Sequence, residues 1–215
     1  LSKETAHQLG TPISSLNAWQ ALLSTRYPND ELIPQMEADI QRLQTIAERF
    51  SKVGSEPNLE SSHLIPIINN SVTYMRTRIS NKVNLVFLPM EDGQANTNYI
   101  VVDMNIPLFS WVLENLIKNA VDAMIDGVGS IIISVAEHDT DVYIDVKDTG
   151  KGIDRHKLNT IFQPGYTTKK RGWGLGLSLA KRIIEDYHRG KLFVKESEIG
   201  KGTTFRIVLK KSRMS

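Results

Sequence analysis

The chain has 215 residues, 40% of them hydrophobic, and a formal net charge of +2. This length permits one or two compact domains with a buried core, and the dispersed basic residues argue against a nucleic-acid partner. The chain has no cysteine, which excludes disulfide bridges and thiolate metal sites and agrees with a cytoplasmic location.

The first 54 residues predict a helical hairpin. Mostly apolar residues recur at alternating three- and four-residue spacings in two segments, and the turn-forming sequence Tyr27-Pro28-Asn29-Asp30 separates them. The two stripes contain Ala6, Leu9, Ile13, Leu16, Gln20 and Leu23, and then Met36, Ile40, Leu43, Ala47 and Phe50. Two helices cannot bury both stripes by themselves, so a further helical surface is expected to cover them.

A domain boundary is predicted at Gly54-Ser55-Glu56-Pro57-Asn58, where glycine and proline end the second helix. It separates residues 1–54 from a second domain at 58–215. The patterns in that domain predict helices near 63–80, 106–125, 155–161 and 175–188, and strands near 84–89, 98–103, 131–135, 142–146, 191–196 and 203–209. We therefore expect an α+β chain whose second domain is an α/β sandwich, with helices on one face of a sheet and solvent on the other.

Four polar or glycine-rich motifs follow one another in the second domain. Asn115 and Asn119 lie one helical turn apart and share a helix face. The later motifs are Asp148-Thr149-Gly150-Lys151-Gly152, Gly172-Trp173-Gly174-Leu175-Gly176 and Gly200-Lys201-Gly202-Thr203. Each glycine motif alone is most simply a turn, and buried asparagines can be structural. Together they predict a nucleotide pocket, with amide oxygens for a hard cation, a carboxylate for an amine and glycine backbone for phosphates.

This order of motifs resembles the asparagine box and the three glycine boxes of sensor histidine kinases. Those kinases share the Bergerat ATP-binding fold with gyrase, heat-shock chaperone and mismatch-repair ATPases. A second segment, Ala6-His7-Gln8-Leu9-Gly10-Thr11-Pro12-Ile13, resembles the phosphoacceptor-histidine box of the same kinases. The resemblance implies ATP and Mg²⁺ as cofactors, a homodimer in which two hairpins form a four-helix bundle, and a response-regulator receiver domain as partner.

The resemblance also assigns roles within the pocket. Asn119 and Asn115 would bind Mg²⁺, and Asp148 would accept the exocyclic amine of adenine. The irregular segment from Phe162 to Gly174, which begins near the phenylalanine-box sequence Ile161-Phe162-Gln163-Pro164, would close over ATP. The other implied nucleotide contacts are Lys118, Gly150, Gly152, Lys169, Lys170, Arg171, Gly172, Gly174, Leu175, Gly176 and Thr203.

One position departs from the pattern of many sensor kinases, which carry Lys or Arg three residues after the second asparagine. This chain has Asp122 there, as do the nitrogen-regulation-type kinases. The negative charge of the phosphates would therefore be neutralised by Mg²⁺, by Lys118 or by the basic residues of the segment that closes over ATP. A basic run such as Lys169-Lys170-Arg171 is in other proteins usually only solvated.

His7 is the predicted phosphoacceptor. It lies about 160° around the helix from Leu9, on the side away from the apolar stripe, and Pro12 removes a helical hydrogen bond just beyond it. The resemblance implies in-line attack by the neutral imidazole on the γ-phosphorus. The family usually has Glu or Asp after the histidine, whereas Gln8 can orient the ring but cannot take its proton. Thr11 matches the family position linked to dephosphorylating the regulator.

Two other functions remain open from the residues. A Bergerat ATPase that uses hydrolysis for conformational work would have a general-base glutamate where this chain has Asn115. A dimeric scaffold that binds nucleotide without transferring phosphate is favoured by Gln8. The sequence has no apolar stretch near the ~18 residues needed to span a bilayer. Because the chain starts just before His7, we expect it to be a fragment whose missing upstream segments carry any membrane anchor.

Overall fold

The computed structural model describes residues 3–28, 30, 32–34, 36–37, 40, 58–89, 100–167 and 174–212, with side chains from residue 14 onward. The chain divides into two compact units, Leu1–Pro57 and Asn58–Ser215. In the first unit, helix α1 spans Lys3–Arg26. A turn follows, in which Asp30 Oδ1 accepts a hydrogen bond from the backbone N–H of Leu32 at 2.9 Å, and helical residues resume at 32–34.

The predicted hairpin is thus described only in part. Leu43, Ala47, Phe50 and the predicted boundary at 54–57 lie outside the described residues. Within α1, Leu16, Trp19 and Leu22 are 44%, 70% and 71% exposed, so this helix presents large apolar side chains to solvent.

The second unit contains the remaining named elements. These are β1 (Glu60–His63), α2 (Leu64–Arg76), β2 (Val83–Leu88), β3 (Val101–Met104), α3 (Ile106–Ala123), β4 (Gly129–His138), β5 (Asp141–Asp148), α4 (Gly176–Arg182), β6 (Lys191–Glu198) and β7 (Gly202–Lys210). Single helical turns occur at Ile125–Gly127 and Arg155–Lys157, and a π-helical turn at Ile183–Tyr187 continues α4.

Five of the strands form one mixed sheet in the order β2-β4-β5-β7-β6. The β2–β4 pair is parallel, and the other three pairs are antiparallel. Strands β1 and β3 form a separate antiparallel pair. Because side chains alternate across a strand, Ile133, Ile144 and Ile207 share one face of the large sheet, and all three are fully buried.

Helix α3 packs its apolar stripe in the core. The Asn105 side chain caps it by accepting a hydrogen bond from the Leu108 N–H at 3.1 Å, which satisfies one of the free donors at a helix start. The buried residues recur at helical spacing, and they are Leu108, Phe109, Val112, Leu113, Leu116, Ile117 and Ala120.

The opposite face of the sheet is polar around Asp145. Both oxygens of Asp145 accept hydrogen bonds from Arg206 at 2.7 Å, and Lys195 Nζ lies 2.9 Å from Oδ2. Burial raises the pKa of this carboxyl, but the two cations outweigh that effect and hold the pKa below its usual value. The predicted α+β class is confirmed, and the sheet is mixed.

Two predicted helices need correction, and one strand was not predicted. Strand β1 was not predicted, because Glu60-Ser61-Ser62-His63 has no alternation and becomes a strand only by pairing with β3. The short helix predicted at 155–161 is a single turn at Arg155–Lys157. The helix predicted at 175–188 is an α-helix at Gly176–Arg182 followed by a wider π turn.

Candidate functional site

One face of α3 forms the backbone of the candidate site. Asn115, Asn119 and Ala123 follow one another at four-residue intervals, so they lie in a line along the helix. At 1.5 Å per residue the line is about 12 Å long. Each end of it meets a glycine of one of the predicted motifs.

The Asn115 end of the line meets Gly176. A Cβ atom added to Gly176 would lie 2.5 Å from Asn115 Oδ1, so any other residue at the start of α4 would force this amide to move. Asn115 Nδ2 is buried and has no hydrogen-bond partner among the described residues. A buried donor needs an acceptor. Asn115 is therefore the residue of this line that is best placed to donate a hydrogen bond to an oxygen atom of a ligand.

The Ala123 end of the line meets the loop that follows β5. A Cβ added to Gly150 would lie 2.7 Å from the carbonyl oxygen of Ala123, and the Lys151 N–H donates to that oxygen at 2.9 Å. The carbonyl at the C-terminus of α3 is thereby satisfied. This contact holds Asp148, the last residue of β5, near the C-terminal end of α3.

Asp148 is 3% exposed. Its Oδ1 accepts hydrogen bonds from the N–H groups of Gly150 at 2.8 Å and Thr203 at 3.3 Å. Burial raises the pKa of this carboxyl, and the two backbone donors oppose the effect. Among the described residues Oδ2 receives no hydrogen bond, so one oxygen of a well-supported carboxylate remains as an acceptor.

The Gly200–Thr203 motif contacts the Asp148–Gly152 motif through the turn between β6 and β7. Gly202 has φ +114°, and a Cβ there would overlap the Asp148 carbonyl oxygen. A residue with a side chain would fit neither this backbone conformation nor this close contact. Gly200 donates to the Lys151 carbonyl at 2.9 Å. The Ser197 hydroxyl accepts from the Ile153 N–H at 2.8 Å and hydrogen-bonds Thr203 Oγ1 at 2.8 Å. Residues 148–153 are therefore held by β6 and β7.

The two ends of the irregular segment before α4 meet each other. The Gly165 N–H donates to the Gly174 carbonyl at 3.1 Å, which closes the base of a loop. On its N-terminal side, Phe162 packs edge-on against Phe205 with ring centroids 6.3 Å apart, and Lys181 Nζ lies 4.7 Å from the Phe162 ring centroid. The predicted lid segment therefore has a base that is closed by a backbone hydrogen bond.

The structure brings together most, but not all, of the predicted pocket residues. It joins Asn115, Asn119, Asp148, Gly150, Gly152, Gly174, Leu175, Gly176 and Thr203 around α3, the β5 end and the start of α4. Lys118 is not part of this set: its side chain is 56% exposed, and its ammonium lies 3.9 Å from Glu114.

Two groups of predicted residues lie outside what the structure describes. Lys169, Lys170, Arg171 and Gly172 are not among the described residues. His7, Gln8 and Thr11 lie in α1, but no side chain before residue 14 is described. Their roles stay predictions.

The residues present fit a nucleotide with a hard cation. Amide oxygens and phosphate oxygens are ligands that Mg²⁺ accepts, and Asn115 and Asn119 offer two amides on one face. The buried Nδ2 of Asn115 would be satisfied by a phosphate oxygen. The donor and acceptor groups thus suit a cation and phosphates at the Asn115 end and a base with an amine at the Asp148 end.

Sequence reasoning missed two residues that build the site. Ala123 was treated only as part of a helix, although its place four residues after Asn119 is a signal that the line continues. Ser197 has no local signal, because its partners Ile153 and Thr203 reach it through strand pairing.

None of the described helices is long and apolar enough to cross a membrane.

Comparison with known proteins identifies the family of the chain. Residues 105–213 match the family described as histidine kinase-, DNA gyrase B-, and HSP90-like ATPase. Over 97% of its length the chain is similar to sporulation kinase C of Bacillus subtilis, with 29% identity, and to the sensor histidine kinase ZraS of Salmonella typhi, with 32% identity. It spans 48% and 45% of those two relatives. The resemblance to sensor histidine kinases is confirmed.

Solved structures agree as well. The catalytic domain of histidine kinase ThkA superposes with a TM-score of 0.61 at 29% identity, covering 71% of this chain and 95% of that domain. ThkA in complex with the response regulator TrrA gives a TM-score of 0.66 at 24% identity, over 97% of this chain and 60% of that one. At 24% identity, the second comparison shows that this chain and ThkA share a fold.

Proposed function

Because the chain belongs to the histidine kinase-, DNA gyrase B- and HSP90-like ATPase family, we propose that it is the catalytic core of a sensor histidine kinase. ATP phosphorylates His7, and the phosphoryl group then passes to an aspartate on a response-regulator receiver domain. The observation that carries the proposal is the line of Asn115, Asn119 and Ala123 on α3, which ends on Gly176 at one side and on Gly150 at the other.

This line gives the nucleotide a direction. Asp148 Oδ2 is an acceptor beside the Ala123 end, so it suits the exocyclic amine of adenine and disfavours the carbonyl of guanine. The triphosphate extends toward Asn115, where an unsatisfied amide donor and the glycine start of α4 meet. Bound Mg²⁺ would supply charge neutralisation there, with Asn119 and Asn115 as the protein ligands.

The transfer step requires few groups from the protein. A neutral imidazole nitrogen of His7 forms the new bond to the γ-phosphorus, the bond to the bridging oxygen breaks, and ADP leaves. The second ring nitrogen then releases its proton. Gln8 can accept a hydrogen bond from that nitrogen and fix the tautomer. Lys169, Lys170 and Arg171, on the segment between Gly165 and Gly174, are proposed to neutralise phosphate charge.

We propose that the chain works as a homodimer, joined by its N-terminal hairpins in a four-helix bundle. The exposed side chains of Leu16, Trp19 and Leu22 support this, because large apolar residues on a helix usually face a partner. Residues 1–54 would then dimerise, and residues 58–215 would bind ATP. The first piece should sediment as a dimer and the second as a monomer that binds ATP without labelling itself.

The partner is proposed to be a response regulator. ThkA, which shares the fold, is known in complex with one. Thr11 is proposed to serve a second activity, dephosphorylation of the regulator. The cytoplasm is the proposed location of this catalytic portion.

One experiment tests the reaction. The chain is incubated with γ-labelled ATP and Mg²⁺, and the labelled protein is treated with acid or base. Phosphohistidine is lost in acid and kept in base, so acid-labile label that disappears in His7→Gln supports the proposal. His138→Gln is the matched control, because that side chain is 66% exposed. Release of phosphate without labelling would indicate a hydrolysing ATPase, and nucleotide binding alone would indicate a scaffold.

A further inference from the structure

The hydroxyl of Ser197 is placed at the junction of three chain segments. Ser197 lies on β6 opposite Thr203 of β7. Its Oγ accepts from the Ile153 N–H at 2.8 Å, lies 2.8 Å from Thr203 Oγ1, and is 3.3 Å from the Gly202 carbonyl oxygen. One side chain thus touches the loop after β5 and the first two residues of β7.

These contacts use the whole hydrogen-bonding capacity of a serine. A hydroxyl offers one donor and two acceptor lone pairs. If the proton goes to the Gly202 carbonyl, Oγ can accept from both Ile153 and the Thr203 hydroxyl. Every contact is then satisfied, and the direction of the Thr203 hydroxyl is fixed toward Ser197.

Both segments that Ser197 joins support Asp148. The loop that contains Ile153 also contains Gly150, whose N–H donates to Asp148 Oδ1 at 2.8 Å. Thr203 donates its own N–H to the same oxygen at 3.3 Å. The second bond is long, so a small displacement of Thr203 would break it. Ser197 reaches the carboxylate through these two neighbours.

We infer that Ser197 is a positioning residue for base recognition: it holds the loop after β5 against β7 so that Asp148 presents its free oxygen in one direction. The inference rests on the proposed function, since it deepens the role of Asp148 toward adenine. Ser197 itself touches no part of the nucleotide in this proposal. It sets how strongly the pocket distinguishes a base that carries an exocyclic amine from one that lacks it.

The test compares two nucleotides on the full chain. ATP has the exocyclic amine, whereas purine riboside triphosphate lacks it and is otherwise alike. Calorimetry gives the ratio of the two affinities for the wild type, Ser197→Ala and Thr204→Val. The control removes a hydroxyl from the next residue of β7, where Thr204 Oγ1 donates to Glu196 at 3.1 Å.

The wild type should favour ATP by roughly 10-fold or more, as expected for a hydrogen bond to a carboxylate. In Ser197→Ala this ratio should fall by roughly 3- to 10-fold, while Thr204→Val keeps it. A merely structural role would weaken both nucleotides equally and leave the ratio unchanged, and that result would overturn the inference. If Ser197→Ala does not fold, Ser197→Cys, which keeps the volume but hydrogen-bonds weakly, is measured in its place.

The experiment separates this inference from the proposed function. If the wild type favours ATP and the Ser197 variants favour it to the same degree, only the positioning role is rejected. A wild-type chain that binds both nucleotides equally rejects the adenine contact of Asp148 and the inference with it. Restoration of the ratio by Ser197→Thr, which keeps the hydroxyl, would support the hydrogen bonds as the cause.

Discussion

The Nε2 atom of His188 accepts a hydrogen bond from the backbone N–H of Asn105 at 3.0 Å, across 83 positions of sequence. The other ring nitrogen lies 2.8 Å from the Ile183 carbonyl oxygen, so it carries the proton and the ring is neutral. His188 is 6% exposed. It therefore ties the end of the π turn to the start of α3, the helix that carries the asparagines.

This contact predicts a loss of stability in acid. Burial lowers the pKa of His188, although its two backbone hydrogen bonds oppose that effect. The unfolded chain, with a pKa near 6.5, binds a proton before the folded chain does. The stabilisation is thus complete above about pH 6.5 and is lost as pH falls from there through the lowered pKa of the folded chain.

Urea unfolding at pH 7.5 and 5.5 would measure the effect. The free energy of unfolding should fall more between these pH values in the wild type than in His188→Gln, which cannot titrate. His138→Gln, which alters an exposed ring, should behave as the wild type does. Equal pH dependence in all three proteins would contradict the prediction.

Asp148→Asn should weaken ATP binding by roughly 1.5–3 kcal/mol, because it replaces a charge-assisted hydrogen bond to the base with a neutral one. Calorimetric titration measures the change, and Asp139→Asn, at a side chain 88% exposed, is the control. Because burial raises the pKa of Asp148, ATP affinity should also decline in the wild type as pH falls through that raised value. Equal affinity in Asp148→Asn would argue against the adenine role.

If Asn119 binds the cation as proposed, Asn119→Ala should abolish labelling by γ-labelled ATP, because the substitution removes an oxygen ligand of Mg²⁺. Asn70→Ala changes an exposed residue of α2 and should leave labelling unchanged. Thermal unfolding without ligands shows whether the variant folds, and the shift of its midpoint on addition of Mg²⁺ and ATP shows whether it binds them. Labelling at the wild-type rate in Asn119→Ala would rule out this residue as a magnesium ligand.

Gly176→Ala should weaken nucleotide binding more than it lowers stability. The added Cβ would lie 2.5 Å from Asn115 Oδ1, so the amide must move. Gly127→Ala adds a Cβ that meets no atom within 4 Å and should cost only backbone strain, since φ is +69° there, of roughly 1 kcal/mol. Calorimetry and urea unfolding separate the effects. Unchanged ATP affinity in Gly176→Ala would show that Asn115 does not contact the ligand.

Gln8→Glu should raise the rate of autophosphorylation near neutral pH. A carboxylate can take the proton that the imidazole releases, and such assistance is worth up to about 10² to 10⁴ fold. The gain should fade as pH falls and the carboxylate is protonated. Single-turnover labelling measures the rate. No gain, with His7 still essential, would mean that water or another group already accepts the proton.

The sequence by itself determined the parts of the site that follow local periodicity. Asn115 and Asn119 share a face because every fourth residue of a helix does, and the buried residues of α3 recur at the same period. Glycines at 150, 176 and 202 mark places where backbone must approach closely. These signals need only neighbours in the chain, so they were readable in advance.

Only the tertiary structure decided which segments meet. The bond between Thr203 and Asp148 spans 55 positions of sequence, and that between Ser197 and Ile153 spans 44. Both depend on the register of β6, β7 and β5, which no local pattern specifies. Strand β1 and the His188 contact arose in the same way, because a pairing partner or a burial environment exists only once distant residues have packed together.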